Sequence, residues 1–229
     1  MTLWAIVPLK IVTSSKQRLA NVLTNKQRIQ LTLAMAEDVL TILQSCQNID
    51  HIVLVSGDAV AAKLCMKTNA QWLKPSNQEG LNSDLAFACH YAEQQGASSC
   101  LILHADLPLL NSKRVDELIE QAQKKALQHK NMLAVVPCKE GSGSNLVYAP
   151  LPFPVKFVYG KNSFPQFKQL AMAADIPFHT LAMEDGDLDI DIPADLKSLE
   201  QRINRLDSSS AKTTRRVLAE ITAKTVSWN

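Results

Sequence analysis

Apolar residues fall alternately into short unbroken runs and into helically spaced stretches, and that alternation predicts the elements. Leu3 to Val7 reads as a buried strand that Pro8 closes. Thr24-Asn25-Lys26-Gln27 has the form of a capping box. Ile29, Leu33, Ala36, Leu40 and Leu43 then recur at helical spacing, so a long helix is expected to pack on the sheet. Ile52 to Val55 is a second strand, Asp58 is expected to cap a helix ending near Asn69, and Ala70 to Leu73 is short and extended. A loop over residues 78–82 leads to a helix with Asn82 as its cap and Gly96 as its stop. Ser99 to Leu103 reads as the central strand, and Ser112 caps an amphipathic helix carrying Val115, Leu118, Ile119 and Ala122. Met132 to Val136 and Phe178 to Met183 are further strands, with Val155 to Tyr159 extended between them. Ser163 is expected to cap a helix through Phe167 and Leu170, leaving amides free for an anion. Pro193 opens one with Leu196, Leu199 and Ile203 on its apolar face. Strands alternating with helices predict a single three-layer α/β domain with a mostly parallel sheet.

The pattern changes at Asp207-Ser208-Ser209-Ser210, a polar linker. Thr214 to about Val226 follows as a basic helix with Val217, Leu218 and Ile221 on its apolar side. The expected division is a domain over residues 1–206 and a tail over 207–229, the tail docking on its own domain or on a sister subunit. The tail carries four basic and two acidic residues, a net of +2, so the formal +2 of the chain leaves residues 1–206 at zero. That balance argues against a general nucleic-acid surface. No run reaches the roughly 18 apolar residues of a membrane helix, and the N-terminus lacks the basic-then-apolar form of a signal peptide. The expected location is therefore the cytoplasm. Five cysteines, odd in number and scattered, read as buried free thiols rather than a disulfide frame or zinc site.

Candidate chemistry gathers around the strand Leu101 to Leu103, because that apolar run ends in a lone carboxylate, Asp106, with Pro108 preventing continuation. The carboxyl ends of strands are where open α/β sheets bind ligands, although a carboxylate there can also simply cap a turn. Downstream, Asp187-Leu188-Asp189-Ile190-Asp191 places carboxylates two residues apart. On a strand they would point the same way, as two ligands of a hard cation should. Lys10, Lys16 and Arg18 follow the first strand in a short polar loop that could hold a triphosphate or simply be solvated. The glycine loop Lys139 to Asn145 suits close approach of a phosphate or carboxylate, and equally a turn between two strands.

Taken together, Ile6-Val7-Pro8-Leu9-Lys10, Lys16-Gln17-Arg18-Leu19, Gly80-Leu81-Asn82, Ala105-Asp106-Leu107-Pro108-Leu109, Gly143-Ser144-Asn145, Tyr159-Gly160-x-x-Ser163-Phe164 and Leu188-Asp189-Ile190-Asp191-x-Pro193 resemble the 2-phospho-L-lactate guanylyltransferase family. The resemblance covers about residues 3–206 and leaves the tail outside. It implies the nucleotidyltransferase fold, a three-layer αβα domain like that of nucleotide-diphospho-sugar transferases. The implied reaction moves GMP from GTP onto 2-phospho-L-lactate, phosphoenolpyruvate or 3-phospho-D-glycerate in coenzyme F-420 biosynthesis. Lys10, Lys16, Arg18, Gly80 and Asn82 would bind the nucleotide, Asp106, Lys16 and Arg18 would serve the chemistry, and Asp106, Asp189 and Asp191 would hold magnesium. The acid would lie against Ser144, Gly160 and Ser163, with Ser144 standing where the family more often has threonine. GTP and the acid are the expected partners, with no nucleic acid and no membrane, and a homodimer is left open. Two alternatives remain at this point: a nucleotidyltransferase of the same fold acting on a sugar phosphate or molybdopterin, and a nucleotide-binding module without turnover.

Overall fold

The structure is a computed structural model that describes residues 2–75, 79–184 and 186–226. Gln78 of the expected loop lies outside the described residues. Seven strands, β1 (Leu3–Pro8), β2 (His51–Val55), β3 (Gln71–Leu73), β4 (Ser99–Leu103), β5 (Leu133–Pro137), β6 (Ser144–Pro150) and β7 (Phe178–Thr180), form one sheet in the order β3-β2-β1-β4-β6-β5-β7. Only β6 runs antiparallel, paired with β4 on one side and β5 on the other. Seven helices complete the described residues: α1 (Asn25–Gln44), α2 (Val60–Thr68), α3 (Leu81–Gln94), α4 (Ser112–Ala126), α5 (Ser163–Ala173), α6 (Pro193–Ile203) and α7 (Lys212–Val226).

Strand periodicity sorts the core into two layers. Leu3, Ala5 and Val7 point into one cluster with α1, α2 and α4, while Trp4 and Ile6 point into the other with α3 and α5. A strand buried on both faces has no polar side to reveal its period, which is why β1 and β4 read as unbroken apolar runs.

The expected elements are present with local differences of physical interest. The capping box at Thr24 forms, Pro193 is the first residue of α6, and all five cysteines are free and buried. β6 has no counterpart among the predicted strands; the glycine loop joins β5 to β6 as a hairpin. The segment 151–160, expected to be partly extended, has no regular structure, and β7 stops at Thr180 rather than Met183. Three caps shift. Asn111, not Ser112, accepts the amide of Arg114; Gly80 precedes α3 in place of Asn82; and Asn162, at φ 57, precedes α5 in place of Ser163. Asp58 lies one residue before the α2 cap, yet its carboxylate still accepts the amide of Val60.

α1 buries two stripes rather than one. Ala36, Val39, Leu40 and Leu43 face the sheet. Leu31, Ala34 and Met35 face a third cluster with Leu199 and Ile203 of α6 and Val217 and Leu218 of α7. The tail therefore docks on its own domain. Asp38 of α1 fixes the docking, since its buried carboxylate accepts the amides of Thr213 (3.0 Å) and Thr214 (2.7 Å) at the open end of α7.

Replacing Asp38 with alanine removes a cap supplied from another helix, so Asp38→Ala should lose about 1–2 kcal/mol of stability in chemical denaturation. It should also make the chain after residue 207 more sensitive to protease. Burial and the neighbouring Asp116 push the Cys46 thiol up to about 12, and burial pushes Cys65 to about 11. At pH 8 both should resist a thiol reagent in the native protein and react readily in denaturant, as mass spectrometry of the labelled peptides would show.

Candidate active site at the carboxyl edge of the sheet

β1 and β4 are parallel neighbours, so the loops that follow them emerge side by side. The loop after β1 makes two short 3-10 turns, Val12–Ser14 and Gln17–Leu19, with Lys16 between them. The Val12 amide donates to the Asp58 carboxylate at 3.1 Å, and Ser15 bonds Thr32 of α1 at 2.9 Å. Lys16 itself is left-handed, φ 52, which costs a non-glycine residue about 1–2 kcal/mol. That conformation turns the side chain under the loop, where it is 7% exposed. Its ammonium donates to the Asp106 carboxylate after β4 and to Asp191 Oδ1 at 2.9 Å.

The third acid joins through β6. Because β6 is antiparallel, its first residues lie beside the last residues of β4, and the His104 amide donates to the Asn145 carbonyl at 3.3 Å. The buried Asn145 side chain donates to the Gly186 carbonyl (3.0 Å) and to Asp189 Oδ1 (3.4 Å), bringing the acidic segment against the sheet edge. That segment is not a strand. Leu188 and Ile190 are nevertheless buried while Asp189 and Asp191 stay half-buried, so the acids share a side as expected. Asp195 in the first turn of α6 accepts the amides of Asp191 (2.9 Å) and Ile192 (2.8 Å), which fixes where Asp191 can point.

The electrostatics are those of one cation among three carboxylates. Burial would lower the Lys16 pKa, but the charges of Asp106 and Asp191 outweigh it and hold the ammonium above its usual 10.5. Burial would raise Asp106, yet Lys16, helped by His104, holds it below the usual 3.8. Among the described residues Asp189 has no such partner. Burial and the charge of Asp106 push its carboxyl up. Asp106 Oδ1 is buried without a hydrogen-bond partner among the described residues. Among the described residues no three His, Cys, Asp or Glu side chains are gathered closely enough to grip a metal ion, and it is the Lys16 ammonium that lies between Asp106 and Asp191.

The remaining predicted residues divide. Ser144 and Ser163 are both buried and share a hydrogen bond of 3.2 Å, and Gly160, at φ 133, lies in the loop that leads to Ser163. The start of α5 offers fewer amides than expected, because Phe164 donates its own to Ser142 and Pro165 has none. Lys10 and Arg18 are exposed on the β1 loop, and among the described ion pairs neither engages the aspartates; Gly80 is exposed at the start of α3. Asn82 bonds the backbone of Tyr159. Sequence reasoning left out His104, whose Nδ1 lies 3.9 Å from Asp106 Oδ1, and assigned no role to Asn145 or Asp195. Asp195 carried a readable signal, an acid two residues after a proline at the first helical position.

The family model described as guanylyl transferase CofC like matches residues 3–220. The chain belongs to this family. The family match runs past residue 206 into α7, further than the motifs alone reached. A phosphoenolpyruvate guanylyltransferase of Sphaerobacter thermophilus is 30% identical over 200 residues, 87% of this chain and 93% of the relative. A 2-phospho-L-lactate guanylyltransferase of Methanosphaera stadtmanae is 26% identical over 83% of this chain and 80% of its own. Among solved structures, one described as a putative nucleotide-diphospho-sugar transferase from Desulfovibrio desulfuricans G20 superposes with a TM-score of 0.71 at 19% identity. It covers 97% of this chain and 96% of that one. At that identity the likeness establishes the nucleotidyltransferase fold alone.

Removing Lys16 leaves Asp106, Asp189 and Asp191 without its counter-charge, so Lys16→Ala should lose about 2 kcal/mol near neutral pH, measured in EDTA without nucleotide. This is less than a fully buried pair, since Asp191 is 48% exposed. Asp106 has a folded-state pKa below 3.8, so its contribution is present above 3.8 and lost as acid protonates it. Lys16, held above 10.5, contributes below 10.5 and loses that contribution as pH rises through its folded-state value. The gap between wild type and variant should therefore be widest between these limits and close at either end.

Proposed function

We propose that the chain transfers a guanylyl group from GTP to the phosphate of a three-carbon phospho-acid, releasing pyrophosphate, as a step in coenzyme F-420 biosynthesis. The observation that carries this reading is the cluster of Asp106, Asp189, Asp191 and Lys16 at the carboxyl edge of the sheet. The names of the relatives supply the substrates: phosphoenolpyruvate for several, 2-phospho-L-lactate for another. Both are small dianionic or trianionic acids, and 3-phospho-D-glycerate is the third candidate of that chemistry.

In the transfer, a phosphate oxygen of the acid bonds to the α-phosphorus of GTP. The bond from that phosphorus to the bridging oxygen breaks, and pyrophosphate leaves with the electron pair. The nucleophile is already an anion, so no side chain need act as its base. The task of the protein is to gather negative charge and hold it in line. Lys16, with Lys10 and Arg18 on the same loop, would offset the charge of the triphosphate. Ser144, Ser163 and the Gly160 backbone would orient the acid by hydrogen bonds.

The donor set fits a hard divalent cation. It consists of carboxylate oxygens, one of them, Asp106 Oδ1, buried without a hydrogen-bond partner among the described residues. Asp106, Asp189 and Asp191 would hold magnesium, which when bound supplies charge neutralisation at the transferring phosphate. Residues 207–229 are proposed to act as a structural buttress through α1, with the chemistry confined to residues 1–206.

Pyrophosphate release from GTP, assayed with each of the three acids with and without magnesium, tests the reading. Turnover is expected with at least one acid and only with the metal; no release with any of them would reject it. Asp106→Asn should lose at least a hundredfold in turnover, about 2.7 kcal/mol, with circular dichroism unchanged. Full activity in that folded variant would remove Asp106 from the chemistry.

A further inference from the structure

Asn82 is used differently from what its place in the Gly80-Leu81-Asn82 motif implies. Both hydrogen-bonding groups of its side chain go to one residue of a distant loop. The Tyr159 amide donates to Asn82 Oδ1 at 2.8 Å, and Asn82 Nδ2 donates to the Tyr159 carbonyl at 3.1 Å. This is the exchange of N–H and C=O that a neighbouring strand would make, supplied here by a side chain. The loop needs it. Residues 151–160 have no regular structure, so no ladder fixes their backbone.

The position of the clamp relates it to the site. Tyr159 is buried, its ring 5.2 Å from Phe167 and 5.6 Å from His104, and the next residue is the exposed Gly160 at φ 133. A Cβ at Gly160 would meet nothing within 4 Å, so the requirement for glycine there is conformational and not a matter of space. Fixing both polar groups of the Tyr159 backbone therefore fixes the point from which that unusual turn begins. At its other end Asn82 is the second residue of α3, two positions after the exposed Gly80 at φ 108. Among the described hydrogen bonds these two are the only ones joining α3 to the 151–160 loop.

We propose that Asn82 is a positioning residue for the acid substrate and not a nucleotide contact: it clamps the Tyr159 peptide from the start of α3, setting the shape of the Gly160 turn against which the acid lies. The inference rests on the guanylyltransferase reading above. Aspartate at this position would still accept from the Tyr159 amide but would meet the carbonyl with another acceptor. Alanine would leave both backbone groups without the partner.

The test uses the full chain, with GTP and the acid that wild type turns over best. In Asn82→Ala the KM for the acid should rise at least tenfold while the KM for GTP changes less than twofold. Hydrogen exchange at the Tyr159 amide should quicken at least tenfold. Asn82→Asp, which keeps the acceptor, should quicken that exchange less than alanine does while still raising the KM for the acid. A rise in the KM for GTP alone, an equal rise for both substrates, or unchanged exchange at Tyr159 would overturn the proposal. If wild type releases no pyrophosphate with any acid, the guanylyltransferase reading and the acid role fall together. Faster exchange in Asn82→Ala would then still establish the clamp by itself.

Discussion

Three carboxylates brought to one edge of an apolar sheet repel one another, and the Lys16 ammonium offsets that repulsion for two of them. Like charges a few ångströms apart are tolerated only where a counter-charge is within reach, because the partly dry edge of the sheet screens them less than water does. Much of the local architecture follows from this need. The loop after β1 is pinned by Asp58 and Thr32, and Lys16 takes up a left-handed backbone, so that one long side chain reaches both Asp106 and Asp191. Asp189 has no share of that ammonium among the described ion pairs, and burial together with the charge of Asp106 pushes its carboxyl up.

The antiparallel strand β6 decides what stands opposite this cluster. Inserted between β4 and β5, it turns the hairpin residues Ser144 and Asn145 toward the same edge as Asp106. Asn145 then holds the acidic segment, and Ser144 meets Ser163 at the start of α5. A parallel strand in that place would have presented its other end. Hydrogen bonds from two asparagine side chains thus tie down segments at this edge, Asn145 to Asp189 and Asn82 to the Tyr159 loop.

The C-terminal helix has a less direct part. α1 is amphipathic toward the sheet, yet its opposite stripe of Leu31, Ala34 and Met35 would face water were it not covered by α6 and α7. Burying such a stripe supplies the usual hydrophobic gain, and the Asp38 carboxylate sets the orientation of α7 by occupying its amide end. Thr32, on the same helix, bonds Ser15 of the β1 loop, so α1 touches both the tail and that loop.

Local patterns carried the element order, the apolar runs of β1 and β4, the capping box at Thr24 and the emergence of Asp106 from an apolar strand, because each depends only on neighbours in sequence. The motif set also singled out Asp106, Asp189 and Asp191, which the fold brings to one edge of the sheet, and Ser144 and Ser163, which it joins by a hydrogen bond. Pairings between residues far apart in the chain were not legible: Lys16 with Asp191, Asn82 with Tyr159 and Asp38 with Thr214 are set by where the sheet and helices carry each residue. β6 stayed hidden because Ser144-Asn145-Leu146-Val147-Tyr148 follows a glycine loop, where a turn and the start of a strand look alike. The second buried stripe of α1 was missed for a related reason. Periodicity states that a residue lies on a face, and only the tertiary structure states what that face meets.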